Sequence, residues 1–520
     1  MFKKITYTFI VSFLALNSFA QNNSGEIHGN FDLNMQSYQE DELIGAKAAD
    51  EIILNNAYLN INYTKGDFAV GLRYESYLNA LMDFDDNYKG NGIPFRYATY
   101  SIDGLEVTVG NYYEQVGSGL IFRSYENKGL GADNAMDGIR LKYSPLKGIY
   151  LKSFIGKSRT YFTYAEGIIR GADAEVNVNE ALNLESKTKI IIGQGLVSRF
   201  QADINPKFKL PQNVAAYSSR LNIINGGWNY SGEYAIKLND PVGSAEENNY
   251  ANGNALMSSL TYSKRGFGIV AEMHRVDHMQ FRSDRAPEKQ YIINYIPTLT
   301  KQHTYSLLAL YPSATQTEGE FGAQIDVFYK IKKGSLLGGK YGATIIFNFS
   351  RINALNGGNS FLNDDKEHNP MFISIEGEEL YYKDLNLEVY KKINKKIRVT
   401  GVIARQSYNK DVLEKPGNYG IVESTIAIAD ISYKIKKGHT VRIELQELLA
   451  DGGEGSWSMG LAEYTISPHW FFAVQDMYRG DETRGFLFGG AISHSQFIAV
   501  CIIVICAVVW RRWSKNSALV

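Results

Sequence analysis

The sequence predicts an all-β protein, a large antiparallel transmembrane-type β-barrel of roughly 16–22 strands. Three observations predict it. Apolar and polar residues alternate with period two from Gln21 to about Ile492, the connections between the alternating runs are unequal, and aromatic residues gather near the run ends.

The N-terminus comes first. Met1-Phe2-Lys3-Lys4 is a basic head, residues 5–16 are uncharged and largely apolar, and Ser18-Phe19-Ala20 sets small residues before a cleavage point. That is the layout of a secretory signal. Residues 1–20 are therefore expected to be removed after Ala20, leaving residues 21–492 to form the barrel. Charges balance, with 54 basic against 55 acidic residues, so nucleic acid is not an indicated partner. Both cysteines, Cys501 and Cys506, lie in the last twenty residues, which excludes a disulfide framework or cysteine metal site elsewhere. No Pro/Ser/Gly linker divides the chain, and a closed sheet would supply the order that disulfides do not.

The first strands are explicit. Ile27, Gly29, Phe31, Leu33 and Met35 alternate with His28, Asn30, Asp32 and Asn34. Leu59, Ile61 and Tyr63 lead into a turn at Thr64-Lys65-Gly66-Asp67, and Phe68, Val70, Leu72 and Tyr74 follow opposite Gly71, Arg73 and Glu75. Further strands are expected over residues 228–236, 267–273, 321–329, 340–349, 385–390, 397–405, 426–433, 440–446 and 470–477. Short turns such as Asn394-Lys395-Lys396 and Lys436-Lys437-Gly438 contrast with long excursions over residues 276–301 and 351–381. Alternation alone fits a soluble β-sandwich as well. The number of runs and the unequal connections favour a barrel with short periplasmic turns and long external loops. Tyr112-Tyr113, Tyr381-Tyr382 and Trp470-Phe471-Phe472 are expected in interfacial aromatic girdles. A mean hydropathy of −0.24 fits a chain in which only alternate residues meet lipid.

Residues 111–126 (NYYEQVGSGLIFRSYE), 130–140 (LGADNAMDGIR) and 294–305 (NYIPTLTKQHTY), with Gly338-Gly339-Lys340-Tyr341-Gly342, go beyond pattern. Together they resemble a family of uncharacterised outer-membrane barrel proteins from Bacteroidota, filed under a domain of unknown function. The resemblance spans roughly residues 25–492. It implies an outer-membrane location and a barrel, and it carries over no catalytic residue.

The chemistry of these motifs is readable on its own. The glycines of Gly117-Ser118-Gly119 permit positive φ or close backbone approach. Arg123, Glu126, Asp133, Asp137 and Arg140 supply balanced charge and are the candidate lumen constriction, where opposed Arg and carboxylate groups set a transverse field that selects solutes. The plainer alternative is interior-facing residues that satisfy one another, with glycines at bends.

Other motifs carry less. Gly117-Ser118-Gly119 lacks the spacing of a nucleophile elbow, and Ser118, His303 and Asp133 form a hydrolase triad only by selection. His274 and His278 stand about 13 Å apart along a strand and read as two loop-edge histidines rather than metal ligands. Asp83-Phe84-Asp85-Asp86-Asn87 begins like a calcium loop, but Tyr88 and Pro94 occupy the positions that need Gly and Glu, so it is a loose calcium site or a solvated loop. Asn363-Asp364-Asp365-Lys366-Glu367-His368 is similar. No cofactor is implied.

The chain ends differently. Residues 497–510 form an unbroken apolar run followed by Arg511-Arg512, too short at about 21 Å for a ~30 Å hydrocarbon core. Residues 493–520 are expected to be a helix, a strand or a frame-changed replacement of the last strand. The functional expectation is a pore or passive channel. A structural or surface- or secretion-partner-binding barrel is the alternative, and an outer-membrane hydrolase comes last. Outer-membrane lipid and the barrel-assembly machinery are the expected partners.

Overall fold

A computed structural model describes residues 25–479, apart from 39, 41–46, 48, 83, 207–208, 241–249, 251, 287–288, 356–378 and 415–418, together with the pairs 486–487 and 492–493. The expected secretory segment, residues 1–20, lies outside the described residues, as do both cysteines, the 363–368 loop and nearly all of the C-terminal tail. The chain is all-β, with 21 strands in one large antiparallel sheet, as the alternation predicts. Its residues group into two compact units.

Unit 1 comprises Met1–Ile224, Ser231–Leu256 and Asp277–Ile296. Its chain runs β1 (Glu26–Gln36), β2 (Leu54–Lys65), β3 (Phe68–Tyr77), β4 (Gly90–Ile102) and β5 (Leu105–Tyr112). Two small ladders follow, β6 (Gln115–Val116) with β7 (Phe122–Arg123) and β8 (Glu126–Asn127) with β9 (Ala132–Asp133). Then come β10 (Met136–Leu146), β11 (Ile149–Thr160), β12 (Thr163–Asn177), a helical turn α1 (Val178–Ala181), β13 (Thr188–Phe200) and β14 (Asn213–Asn225). Consecutive long strands pair, and β5 passes over the small ladders to pair with β10. The Thr64–Asp67 turn forms as expected, with Lys65 opposite Phe68.

Strand parity separates two faces. Val109, Ile139 and Ile155 stand in register across β5, β10 and β11 and are about half exposed. The other face of the same strands carries Thr108, Tyr112, Met136, Phe154 and Ser158, all buried. In its middle Gly110, Gly138 and Gly156 share one register row. A Cβ on Gly138 would lie 2.0 Å from the Ile155 carbonyl oxygen, and one on Gly156 2.4 Å from that of Asp137. Only hydrogen fits there.

The strands β15 (Trp228–Lys237), β16 (Gly253–Lys264) and β17 (Phe267–Asp277) have residues in both units. Unit 2 comprises Asn225–Tyr230, Met257–Val276 and Pro297–Val520. It contains β18 (Gly319–Ile331), β19 (Ala343–Asn353), β20 (Leu380–Lys392), β21 (Ile397–Asn409), a turn of helix α2 (Lys410–Leu413), β22 (Ile421–Lys436), β23 (His439–Asp451), β24 (Trp457–Ile466) and β25 (Trp470–Arg479). Each pairs antiparallel with the next. A two-residue ladder, β26 (Phe486–Leu487) with β27 (Ile492–Ser493), ends the described chain. The faces again divide: Ile431, Ile443, Leu445 and Leu449 are exposed, while Asp384, Asn386, Gln406, Glu444 and Gln446 are buried.

Several sequence expectations need correction. Most strands run further than their clearest alternation, as in Ile421–Lys436 against 426–433, because polar side chains satisfied on the buried face break the apolar signal. The strand expected from Lys340 starts at Ala343. Residues 332–342 instead make their own turns, in which Gly339 N–H donates to Ser335 O (2.8 Å) and Gly342 N–H to Gly338 O (2.9 Å). Trp470, Phe471 and Phe472 are exposed as a girdle requires, but Tyr112, Tyr381 and Tyr382 are buried on the polar face.

Candidate functional site

The connection from β5 to β10, residues 113–135, lies on the buried face of unit 1. Glycine starts it: Gly117 (φ +58°) and Gly119 (φ +105°) take backbone conformations that side chains disfavour, and Gly119 N–H closes a turn onto Val116 O at 3.0 Å. Val116, Leu120, Ile121 and Phe122 are fully buried. The Phe122 ring packs 4.7 Å from that of Phe154 on β11, and Val116 fills the space that Gly195 on β13 leaves empty. Polar groups secure the rest. Ser118 N–H donates to Glu233 Oε2 (2.8 Å), Arg123 N–H to Ile293 O (2.7 Å), and Asn294 Nδ2 to both Leu120 O (3.1 Å) and Met279 O (2.7 Å).

Five charges meet where this excursion contacts β3 and β11. Arg73 on β3 donates to Glu75 Oε1 (2.6 Å), Glu126 Oε1 (2.9 Å) and Asp133 Oδ2. Arg159, at the end of β11, donates to Glu75 Oε2 (2.6 Å), Asp133 Oδ2 (2.5 Å) and the Tyr161 carbonyl (2.6 Å). The side chains of Arg159 and Glu75 are each 1% exposed. Phe95 lies 4.9 Å from the Arg73 guanidinium. Tyr113 OH donates to Asp133 Oδ1 (3.1 Å), and burial holds its phenol well above the usual range, so it stays a neutral donor. Three carboxylates against two guanidiniums leave one net negative charge.

The five sequence candidates do not form one group. Glu126 and Asp133 belong to this cluster. Arg140 faces a neighbouring one, donating to Glu106 Oε1 (2.7 Å), Thr108 Oγ1 (3.1 Å) and Tyr113 O (2.9 Å). Glu114 sits 3.1 Å from Lys152 Nζ, and Asp173 accepts from Arg220 (2.7 Å). These charges of both signs line a cavity of about 360 Å³. Arg123 stacks between Tyr125 and Tyr295, at 5.0 and 4.2 Å. Asp137 is a correction: it shares parity with Ile139 on the exposed face and pairs with Arg96 (3.0 Å), so it cannot stand with Arg140. Sequence reasoning missed Arg73, Glu75, Arg159 and Glu114. The available signal was Arg73 and Glu75 at i and i+2, on one face of β3.

In unit 2, residues 297–318 lie over the buried face of β20–β23. Lys301 Nζ donates to Asn386 Oδ1 (3.2 Å), His303 Nε2 is 2.5 Å from Asp384 Oδ2, and Leu307 N–H donates to Gln446 Oε1 (2.9 Å). Asp384, fully buried, also accepts from Asn386 (2.8 Å), Gln406 (3.2 Å) and Tyr382 OH (3.3 Å). Asp133 and His303 are thus each engaged elsewhere, and neither joins Ser118. His274 is not at a loop edge. It lies within β17, fully buried, 2.7 Å from Glu320 Oε1, while His278 follows the strand and pairs with Asp277 (2.6 Å). In the acidic loop, Asp85 caps a 3₁₀ turn, accepting from Asn87 N–H (2.9 Å) and Tyr161 OH (2.6 Å), contacts that hold its carboxyl below the usual range. Among the described residues no group of three His, Cys, Asp or Glu is placed to hold a metal.

Among solved structures the chain resembles Pseudomonas aeruginosa OpdL, at 11% identity and a TM-score of 0.37, over 87% of this chain and 99% of that one. It also resembles the P. aeruginosa outer membrane protein OpdK (10%, TM-score 0.36, over 87% and 97%) and a BenF-like porin from Pseudomonas fluorescens Pf-5 (10%, TM-score 0.35, over 82% and 98%). No curated protein matches it. Residues 1–491 match the family of unknown function DUF6029, and the chain belongs to that family.

Proposed function

We propose that this protein is an integral outer-membrane β-barrel that acts as a restricted pore. One observation carries the reading: the faces are inverted relative to a water-soluble protein. Ile403, Leu445 and Leu449 are each 57–58% exposed, while Asp384, Glu320, Asn348 and Gln406 are fully buried. Apolar side chains that face outward along strand after strand need lipid rather than water. Polar side chains on the opposite face line an interior. The alternation of short turns with long connections agrees with periplasmic turns and external loops. In unit 1 the 113–135 excursion narrows that interior, and Glu126, Asp133 and Arg140, together with Arg73, Arg159 and Glu114, give it a field of mixed sign. The residues hold themselves in place by pairing, and no covalent chemistry is assigned to them.

Planar-bilayer recording of the purified protein tests the pore. Stepwise conductance from a folded, heat-modifiable barrel is expected; a folded barrel that stays silent rules the pore out. A structural or partner-binding barrel is the second reading, favoured by how much of the buried face residues 113–135 and 297–318 occupy. Co-purification of a stoichiometric surface or secretion partner with a silent barrel supports it.

A further inference from the structure

The short turns of unit 2 carry charge of one sign. Residues 264–266, 330–341, 391–398 and 434–439 hold fourteen lysines and arginines and no Asp or Glu, and residues 467–470 add His469. The short turns of unit 1 over residues 65–67, 103–104, 147–148 and 178–187 hold three basic and four acidic residues, so the excess is not a general feature of turns in this chain.

These turns form one row. Lys330 N–H donates to Gly266 O (2.8 Å), Lys391 Nζ to Leu337 O (3.0 Å), Lys434 N–H to Lys396 O (2.8 Å) and Ser467 N–H to Gly438 O (2.8 Å). Each bond joins one turn to the next hairpin, so the cations stand along a continuous rim. Neighbouring strands are about 4.8 Å apart, so adjacent turns fall within or near one Debye length and their potentials add.

Two further features choose the partner. Apolar side chains project among the lysines: Leu336 is 100% exposed, Leu337 69% and Ile393 51%. Aromatic rings border the rim, with Lys264 Nζ 5.6 Å from the Phe267 ring, Lys392 Nζ 5.2 Å from Tyr341, and the Trp228 ring tilted against that of Tyr262 at 4.5 Å. Cations, exposed leucines and interfacial aromatics together match a bilayer headgroup region. A rim that docked an acidic protein would need the cations but not the apolar tips.

We infer that this rim binds the anionic phospholipid headgroups of the leaflet it faces, seating one side of the barrel at a fixed depth. The inference rests on the membrane reading above. Its test uses the full protein reconstituted into phosphatidylcholine vesicles containing phosphatidylglycerol, with one lipid or the other brominated. Trp228 and Trp470 lie beside the rim and report the lipid next to them by quenching.

The expected result is a preference for phosphatidylglycerol over phosphatidylcholine of at least about fivefold at low salt, shrinking as salt is raised. A variant combining Lys332→Gln, Lys333→Gln, Lys395→Gln and Lys396→Gln should lose most of it, while the same four sites changed to Arg should keep it. Equal quenching by the two lipids in the wild type, with the protein folded and inserted, overturns the inference and leaves the rim to an acidic protein. A protein that enters neither bilayer overturns the membrane reading, and the rim with it; the folded-band assay separates the two failures.

Discussion

Replacing Arg159 with Met is the sharpest perturbation of unit 1. The side chain is 1% exposed and donates to two carboxylates and a backbone carbonyl. Its removal leaves Glu75, Glu126 and Asp133 with Arg73 alone, three negative charges against one positive. Removing one partner from a buried ion pair costs about 3–5 kcal/mol, because the abandoned charge stays buried. Methionine fills much of the arginine stem's volume, so the loss is mainly electrostatic. Urea titration of the folded protein in micelles, followed by loss of its heat-modifiable band, measures the change. Adding Glu75→Gln removes the charge that Arg159 abandoned, so the double variant should be more stable than the sum of the singles by at least about 1 kcal/mol. A single variant costing under about 1 kcal/mol, or strictly additive substitutions, would refute the cluster as an interdependent unit.

Gly138→Ala should destabilise unit 1 by about 1–3 kcal/mol, since the new methyl would lie 2.0 Å from the Ile155 carbonyl oxygen; an unchanged urea midpoint would contradict the close approach. His303→Ala removes the closest polar anchor of residues 297–318 on Asp384, and single-channel conductance should rise; the same conductance as wild type would sink that role. Lys410 Nζ donates to Glu454 Oε1 at 2.6 Å and ties α2 to the β23–β24 connection, which lowers the Glu454 carboxyl from its ordinary 4.5 and raises the Lys410 ammonium from its ordinary 10.5. The depressed Glu454 value means its stabilisation is present above pH 4.5 and is lost as pH falls through the folded value. The raised Lys410 value means its stabilisation is present below pH 10.5 and is lost as pH rises through the folded value. The protection factors of residues 410–414, with the intrinsic pH dependence of exchange divided out, should therefore be high between those limits and lower outside them, and Lys410→Met should abolish the dependence; a flat profile of protection in the wild type counts against the clasp.

The fold was largely legible because a strand shows its two faces at every second residue. The Thr64–Asp67 turn and β25 starting at Trp470 fell where alternation put them. The site was less legible, because sequence order does not say which polar residues on different strands meet. Glu126 and Asp133 stood out beside glycines in one short motif. Their partners Arg73 and Arg159 lay in ordinary strand patterns and became visible only once β3, β11 and the excursion were brought together. Asp137 shows the opposite error: closeness in sequence to Arg140 hid a parity that puts it on the other face. The tyrosine pairs misled for a related reason: Tyr112 shares the inward parity of Thr108, and a register shift opposite Ile352 and Asn353 lets Tyr381 and Tyr382 both join one buried cluster.

The charge cluster of unit 1 also bears on the order in which the chain can enter a bilayer. Its contacts span 53, 60 and 84 residues, whereas each hairpin closes within a few dozen. Arg73 and Glu75 can pair as soon as β3 forms, but Asp133 and Glu126 have no guanidinium until the excursion folds back, and Arg159 arrives last. A buried ion left without its partner is costly. The segment from β3 to β11 therefore satisfies its buried ions only once β11 is made. A chain truncated before Arg159 should leave Glu75 and Asp133 without that guanidinium and its first strands open to protease, while one extending through β13 should protect them.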